Sequence, residues 1–399
     1  MNDIKVVERA ADNIRILAAC MVEKSKSGHP GGAMGGADFI NVLYSEFLIH
    51  DPENPQWEGR DRFYLDPGHM SPMLYSTLAL TGKFSMDDLA QFRQWGSCTP
   101  GHPERDLKRG IENTSGPLGQ GHTFAVGAAI AAKFLKARLG DQMDHTIYAF
   151  ISDGGIQEEI SQGAGRTAGH LGLDNLVMFY DANGIQLSTT TDVVTEEDVV
   201  AKYQAWGWRV ITIDGNNAVE IRAALTEAKL EKEKPTLIVG KTIMGKGARK
   251  EDGSSFENQV SSHGQPLTAA GASIEKTVEN LGGNPTDPFV IFADVQELYA
   301  KRAAKLKEIV AKKYAEKAAW AKQNPELADK MQKWFSGYIP SIDWAAIEQK
   351  PNQATRAASA NVLGILAQQV ENMVVSSADL SNSDKTDGFL KKTTEFKKG

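Results

Sequence analysis

Apolar residues recur at helical spacing at the start of the chain. Ile14, Leu17, Ala18 and Met21 fall on one face of residues 4–24, which predicts a helix that stops at the polar, glycine-rich "SKSGHPGG". A second helix is expected over roughly 35–48. The period then changes. "DRFYLDPGH" reads as a short strand ending at Pro67, Gly68 and His69. "HTIYAFISDGG", "NLVMFYDANG", "WRVITIDGNN" and "PTLIVGKTIMG" are apolar runs of strand length, each finishing in Gly, Asp or Asn. Helical stretches separate these runs. Such β-α-β-α order calls for an α/β fold with a parallel sheet covered on both faces and ligands at the carboxyl ends of the strands.

Beyond residue 290 the pattern becomes a long charged helical stretch, expected as a connecting arm over 291–352. A fresh unit is expected over 353–399, with a helix in "ATRAASANVLGILAQQ" and a strand in "NMVVSSADL". One helix and one strand cannot bury a sheet core, so this second α/β domain is expected to be only its beginning.

Composition narrows the field of functions. With 399 residues, 41% of them hydrophobic, the chain can bury substantial cores. A net charge of -7 speaks against a nucleic-acid surface, although Lys241, Lys246, Arg249 and Lys250 form a local basic patch that could meet phosphates. Two cysteines, Cys20 and Cys98, can form neither a disulfide framework nor a zinc cluster, which favours a reducing compartment. No signal-peptide pattern and no bilayer-length apolar run are evident, so a cytoplasmic protein without a membrane partner is expected.

The chemistry concentrates at the strand ends. "SDGGIQEE" and "YDANGI" each close a strand, and the intervening helix makes those strands parallel neighbours, so Asp153 and Asn183 should share one crevice. A carboxylate, an amide oxygen and the Ile185 carbonyl are hard oxygen ligands that leave coordination positions for phosphate oxygens, as a magnesium-diphosphate site requires. Either turn alone would be unremarkable. Histidines form a second set: His29, His69, His102, His122 and His263 all sit in or beside Gly- or Pro-flanked loops. "TSGPLGQGH" offers a bare backbone at the mouth of a helix, where close packing or ligand approach would each need glycine.

The Asp-Gly and Asn pair resembles the thiamine diphosphate signature. "SGHPGG", "GHMSPMLY", "TPGHPE", "TSGPLGQG" and "SSHGQPL" resemble, in order, the cofactor and substrate loops of transketolases. Deoxyxylulose-phosphate synthase shares the metal motif but fits "SGHPGG" with "TPGHPE" less well. The resemblance implies a thiamine diphosphate-binding fold, with a diphosphate-binding domain over 1–290 and the start of a pyrimidine-binding domain over 353–399. It implies transfer of a two-carbon ketol unit between sugar phosphates through a cofactor-bound carbanion and enamine.

Residue by residue, the resemblance implies Asp153, Asn183 and Ile185 as ligands of Mg2+, or of Ca2+ or Mn2+ in its place. Thiamine diphosphate would be held by His69, Gly116, Leu118, Gly154, Asn183, His263 and, from a neighbouring subunit, Asp379. His29, His69, His102 and His263 would line the reaction channel, with Glu158 in a proton-relaying cluster. His29, His102, His263, Arg356 and Ser383 would bind sugar phosphate. The family's activating glutamate has no counterpart in these 399 residues, which implies a homodimer or a complex with a chain carrying the rest of the pyrimidine-binding and C-terminal domains. The sequence departs from the family at Ser152, Pro67 and Gly163. Two other classes compete: a non-catalytic partner that retains the diphosphate site, and a nicotinamide dehydrogenase, which is disfavoured because no G-x-G-x-x-G follows the first strand.

Overall fold

The computed structural model describes residues 2–394 and 398, so residues 395–397 and 399 of the expected second domain lie outside the described residues. The chain divides into two compact units, one reaching Glu316 and one from Lys317 to Lys398.

Helix α1 (Ile4–Ser25) opens the first unit. The Asp3 side chain caps it by accepting from the Lys5 N–H, and Lys26 closes it in the left-handed conformation. The apolar face read from the sequence is narrower than the buried one. Every residue from Asn13 to Val22 is buried, including Arg15, whose guanidinium pairs with Asp38 and donates to the Met34 carbonyl. The second expected helix begins early. Pro30 starts α2 (Pro30–Gly35), and α3 (Ala37–Val42) leads into a wider turn at Leu43–Phe47, because proline suits a first helical position.

The expected strands form: β1 (Arg62–Leu65), β2 (Ile147–Ser152), β3 (Leu176–Ala182), β4 (Arg209–Asp214) and β5 (Thr236–Lys241). All pair in parallel in the order β1-β2-β3-β5-β4. Their two faces feed different cores. Tyr148, Phe150, Val177, Phe179 and Ile238 pack toward α1, α3 and α4 (Ser71–Leu80). Ile147, Ala149, Ile151, Leu176, Met178 and Val239 pack with α6 (Gln120–Leu139) and α8 (Glu159–Leu171). Here α5 is the short helix Met86–Ala90 and α7 the short helix Asp153–Gln157. Burial on both faces is why these strands read as continuous apolar runs.

In the second unit the expected helix forms as Thr355–Gln369, but the expected strand in "NMVVSSADL" does not. Residues 371–380 are turns and irregular chain, and the described residues of this unit contain no strand for them to pair with. A β-branched run without a partner leaves its N–H and C=O groups to water, so propensity alone cannot hold it extended. Phe389 is buried, and Lys392 reaches back to the Gly364 carbonyl.

Candidate functional site

Parallel pairing brings the ends of β1, β2 and β3 to one edge of the sheet, and each end continues into a motif singled out by sequence. After β1 comes a tight turn over Gly68–Met70 that carries His69. His29 immediately precedes α2, and His263 follows a turn at Val260–Ser262. These three rings meet. His29 and His69 lie 4.9 Å apart between centroids, His69 and His263 5.4 Å, and His29 and His263 5.8 Å. His102 joins from the "TPGHPE" loop: a Cβ added to Gly68 would lie 3.0 Å from its ring and 2.9 Å from Ser115 Oγ.

The cluster favours neutral imidazoles. Burial pushes the His29 pKa down to about 4, and His263, Arg93 and His102 add to the shift. His69 lies well below its ordinary value, through burial and then its histidine neighbours. Burial also lowers His263, against a backbone hydrogen bond to Ile185, and His102 falls through desolvation and Arg93. Uncharged rings can donate at one nitrogen and accept at the other. His29 Nδ1 and His263 Nδ1 are buried without a partner among the described residues, the state expected of groups that await a polar ligand.

Asp153 and Asn183 occupy neighbouring strand ends, as expected. Asp153 is 3% exposed, and its Oδ1 accepts from the Tyr180 hydroxyl at 2.5 Å and its Oδ2 from the Gly184 N–H at 2.9 Å. Burial raises its pKa to about 6, with Tyr180 and the Gly184 amide opposing. Asn183 donates to Asp181 Oδ2 at 3.0 Å, which turns its own oxygen toward the Ile185 N–H at 2.9 Å. Asp181 is fully buried and also accepts from the Thr242 hydroxyl. Two buried carboxylates thus stand together, and among the described residues neither pairs with a lysine or arginine. A cation would relieve that arrangement. No cluster of three His, Cys, Asp or Glu able to hold a metal occurs among the described residues, so a metal here would rely on Asp153, Asn183 and main-chain oxygen.

The glycine loop fits a bound group. A Cβ on Gly116 would meet nothing within 4 Å, whereas one on Gly154 would strike Leu118 Cδ1 at 2.9 Å. Leu118 therefore covers the Asp153 turn while Gly116 faces open space. Glu158 is exposed where α7 gives way to α8. Arg356, Asp379 and Ser383 belong to the second unit, and each is exposed there.

Several residues of the site escaped the sequence reading. Arg93, held by Ser27 Oγ at 2.8 Å, bears on His29 and His102. Asp181 orients Asn183, and Asp66 lies beneath the glycine loop. His122, which matches no cofactor motif, is fully buried with Nδ1 2.6 Å from Ser161 Oγ. For Asp66 and Asp181 the available signal was an acid placed within or just after an apolar strand.

A parallel sheet with a buried Asp beside a half-buried Asn at one strand edge and clustered neutral histidines defines a thiamine diphosphate-binding fold. The chain belongs to the family described as "Transketolase, thiamine diphosphate binding domain", which matches residues 6–340. It is 40% identical over 395 residues to a transketolase of Geobacillus stearothermophilus, covering 96% of this chain and 58% of that protein. It is also 40% identical over 408 residues to the chloroplastic transketolase-1 of Arabidopsis thaliana, covering 99% of this chain and 54% of that one. The structure of the Leishmania mexicana transketolase superposes with a TM-score of 0.90 at 35% identity, over 97% of this chain and 57% of that chain. The chain thus spans a little over half the length of these relatives. Among the described residues no helix is long and apolar enough to cross a membrane.

Proposed function

We propose that this chain supplies the diphosphate half of a transketolase site, for transfer of a two-carbon ketol unit from a ketose phosphate to an aldose phosphate. The observation that carries this reading is the cluster of His29, His69 and His263 rings, with centroids within 6 Å of one another. Thiamine diphosphate, when bound, supplies the stabilised carbanion that the reaction needs. The chain's part is to hold, orient and exchange protons. Asp153, Asn183 and the Ile185 carbonyl would hold Mg2+, with Ca2+ or Mn2+ as substitutes. Gly116, Leu118, Gly154, His69 and His263 would enclose the cofactor, with Asp379 approaching from a neighbouring copy.

Neutral His29, His102 and His263 would donate to and accept from sugar hydroxyls, and could take up a proton as the substrate carbonyl oxygen gains or loses charge. Arg356 and Ser383 suit a phosphate, through a planar fork of donors and a hydroxyl. Glu158, exposed near Gly119, would belong to a relay completed across a subunit contact. The functional division would be 1–290 for the diphosphate-binding domain, 291–352 for the arm and 353–399 for the start of the pyrimidine-binding domain. The partner would be a second copy or a chain carrying the remaining domains, in a cytoplasmic setting that suits the free thiols of Cys20 and Cys98. The test is a coupled ketol-transfer assay on the pure chain, alone and with a polypeptide carrying the rest of a transketolase. Activity is expected only in the mixture, and robust turnover by the chain alone would refute this division of labour.

A further inference from the structure

Asp66, directly after β1, is fully buried and touches each wall of the candidate site. Its N–H donates to the Phe150 carbonyl at 3.0 Å, which prolongs the β1–β2 pairing, and its carbonyl accepts from the Gly68 N–H at 2.8 Å and from Ser115 Oγ at 2.7 Å. The His69 turn and the glycine loop are therefore tied to one peptide. The side chain reaches further. Oδ1 accepts the His122 N–H at 3.3 Å, and the amides of Gly119 and Gly121 at the N-terminus of α6 are near enough to favour its charged form.

Two bare glycines admit it. A Cβ on Gly121 would lie 2.4 Å from Asp66 Cα, and one on Gly155 would lie 2.2 Å from Asp66 Oδ2. Oδ2 itself has no hydrogen-bond partner among the described residues. Burial raises the pKa of this acid to about 6, the three amides oppose the rise, and Glu158 adds to it.

We propose that Asp66 is a positioning residue of the cofactor site. By seating the Gly119–His122 turn and the Gly154–Gly155 turn against the His69 turn, it sets Gly116 and Leu118 on one side and Asp153 on the other at the spacing that admits a diphosphate cofactor. The role in cofactor binding rests on the function proposed above, whereas the mechanical role does not. Removing the carboxylate takes the acceptor from the His122 N–H at the head of α6 and loosens the glycine loop, although no atom of Asp66 need touch the ligand.

The two parts can be tested separately on the full chain. Without cofactor, hydrogen exchange of amides 119–122 and 154–156 is followed in the wild type, Asp66→Ala and Asp66→Asn. The alanine variant should exchange at least roughly tenfold faster at these amides while β3 stays protected. The asparagine variant, which keeps an acceptor at the same place, should restore wild-type rates. Calorimetric affinity for thiamine diphosphate with Mg2+ should fall about tenfold or more in Asp66→Ala and recover in Asp66→Asn. Gly155→Ala retains Asp66 but crowds Oδ2, so it should reproduce the alanine pattern and decides the matter if Asp66→Ala does not fold. Unchanged exchange in Asp66→Ala, equal damage in Asp66→Asn, or an unaffected Gly155→Ala would each overturn the proposal. A wild-type chain that binds no cofactor would instead count against the proposed function, and the exchange data would still judge Asp66.

Discussion

Gly116→Ala separates ligand binding from folding. Gly116 is absent from the glycines held at positive φ, and a Cβ built on it meets no atom within 4 Å. The fold should therefore accept alanine, and the lost freedom of the unfolded chain should add about 0.4–1 kcal/mol of stability. If the open space above Gly116 is where the cofactor lies, the same methyl group must displace it. Forcing one methyl group into a packed contact costs about 1–3 kcal/mol, which is about a 5- to 150-fold loss of affinity. Gly119→Ala is the contrasting variant, in which the fold itself is strained. That residue has φ +85, and a Cβ there would sit 2.8 Å from Ile160 Cγ2 and 2.9 Å from Glu158 Cβ, so it should destabilise the fold by more than about 1 kcal/mol. Denaturant unfolding of the free chain measures the first quantity, and calorimetric titration of thiamine diphosphate with Mg2+ measures the second. Gly116→Ala with wild-type affinity would place the cofactor elsewhere. Loss of fold stability in that variant would show that the space is not open.

Two further outcomes are expected. Asp153→Asn can accept the Gly184 N–H with its oxygen and donate its amide to the Tyr180 hydroxyl oxygen but removes the charge, so the melting temperature should hold while Mg2+-dependent cofactor affinity falls by roughly 100-fold; equal affinities by calorimetry would remove Asp153 from the metal site. His122 is held neutral by burial, its pKa pushed from 6.5 to about 3, so its contribution to stability is complete above pH 6.5 and drains as pH falls toward 3, at about 1.4 kcal/mol per pH unit. Asp66, Asp153 and Asp181, raised to about 6, 6 and 7, act in the other direction, their contribution fading as pH rises through those values. His122→Gln should therefore lower the slope of unfolding free energy against pH by about 1.4 kcal/mol per pH unit between pH 6 and 4, and an unchanged slope would mean that His122 is charged in the folded state.

The sheet was legible because its strands are buried on both faces, which writes them as unbroken runs such as "IYAFIS" and "LVMFYDA". The same signal misled at "NMVVSSADL", where β-branched residues have no neighbouring strand among the described residues of their unit. The gathering of His29, His69 and His263 followed from motif order. The supporting shell did not. Asp66 acts on His122, and Asp181 on Thr242, across long stretches of chain, and an acid within or just after an apolar strand, the one local signal, names no such partner. His122 looked like one more loop histidine, and only the packing of α6 on α8 reveals it as an interior group.

The enclosure of α1 bears on how this protein is made. Residues 13–22 of that helix are buried on every side, yet the segments around it include Ile274–Asn280, and the Asn13 side chain bonds to the Val290 carbonyl. A ribosome therefore delivers an apolar helix long before its last covering segment exists. Parallel pairing compounds the delay, since Arg62 finds Ile147 only after the whole of α6 has been synthesised. A nascent chain halted anywhere before residue 274 should carry α1 as an exposed greasy surface, sticky toward other chains and a natural client for chaperones.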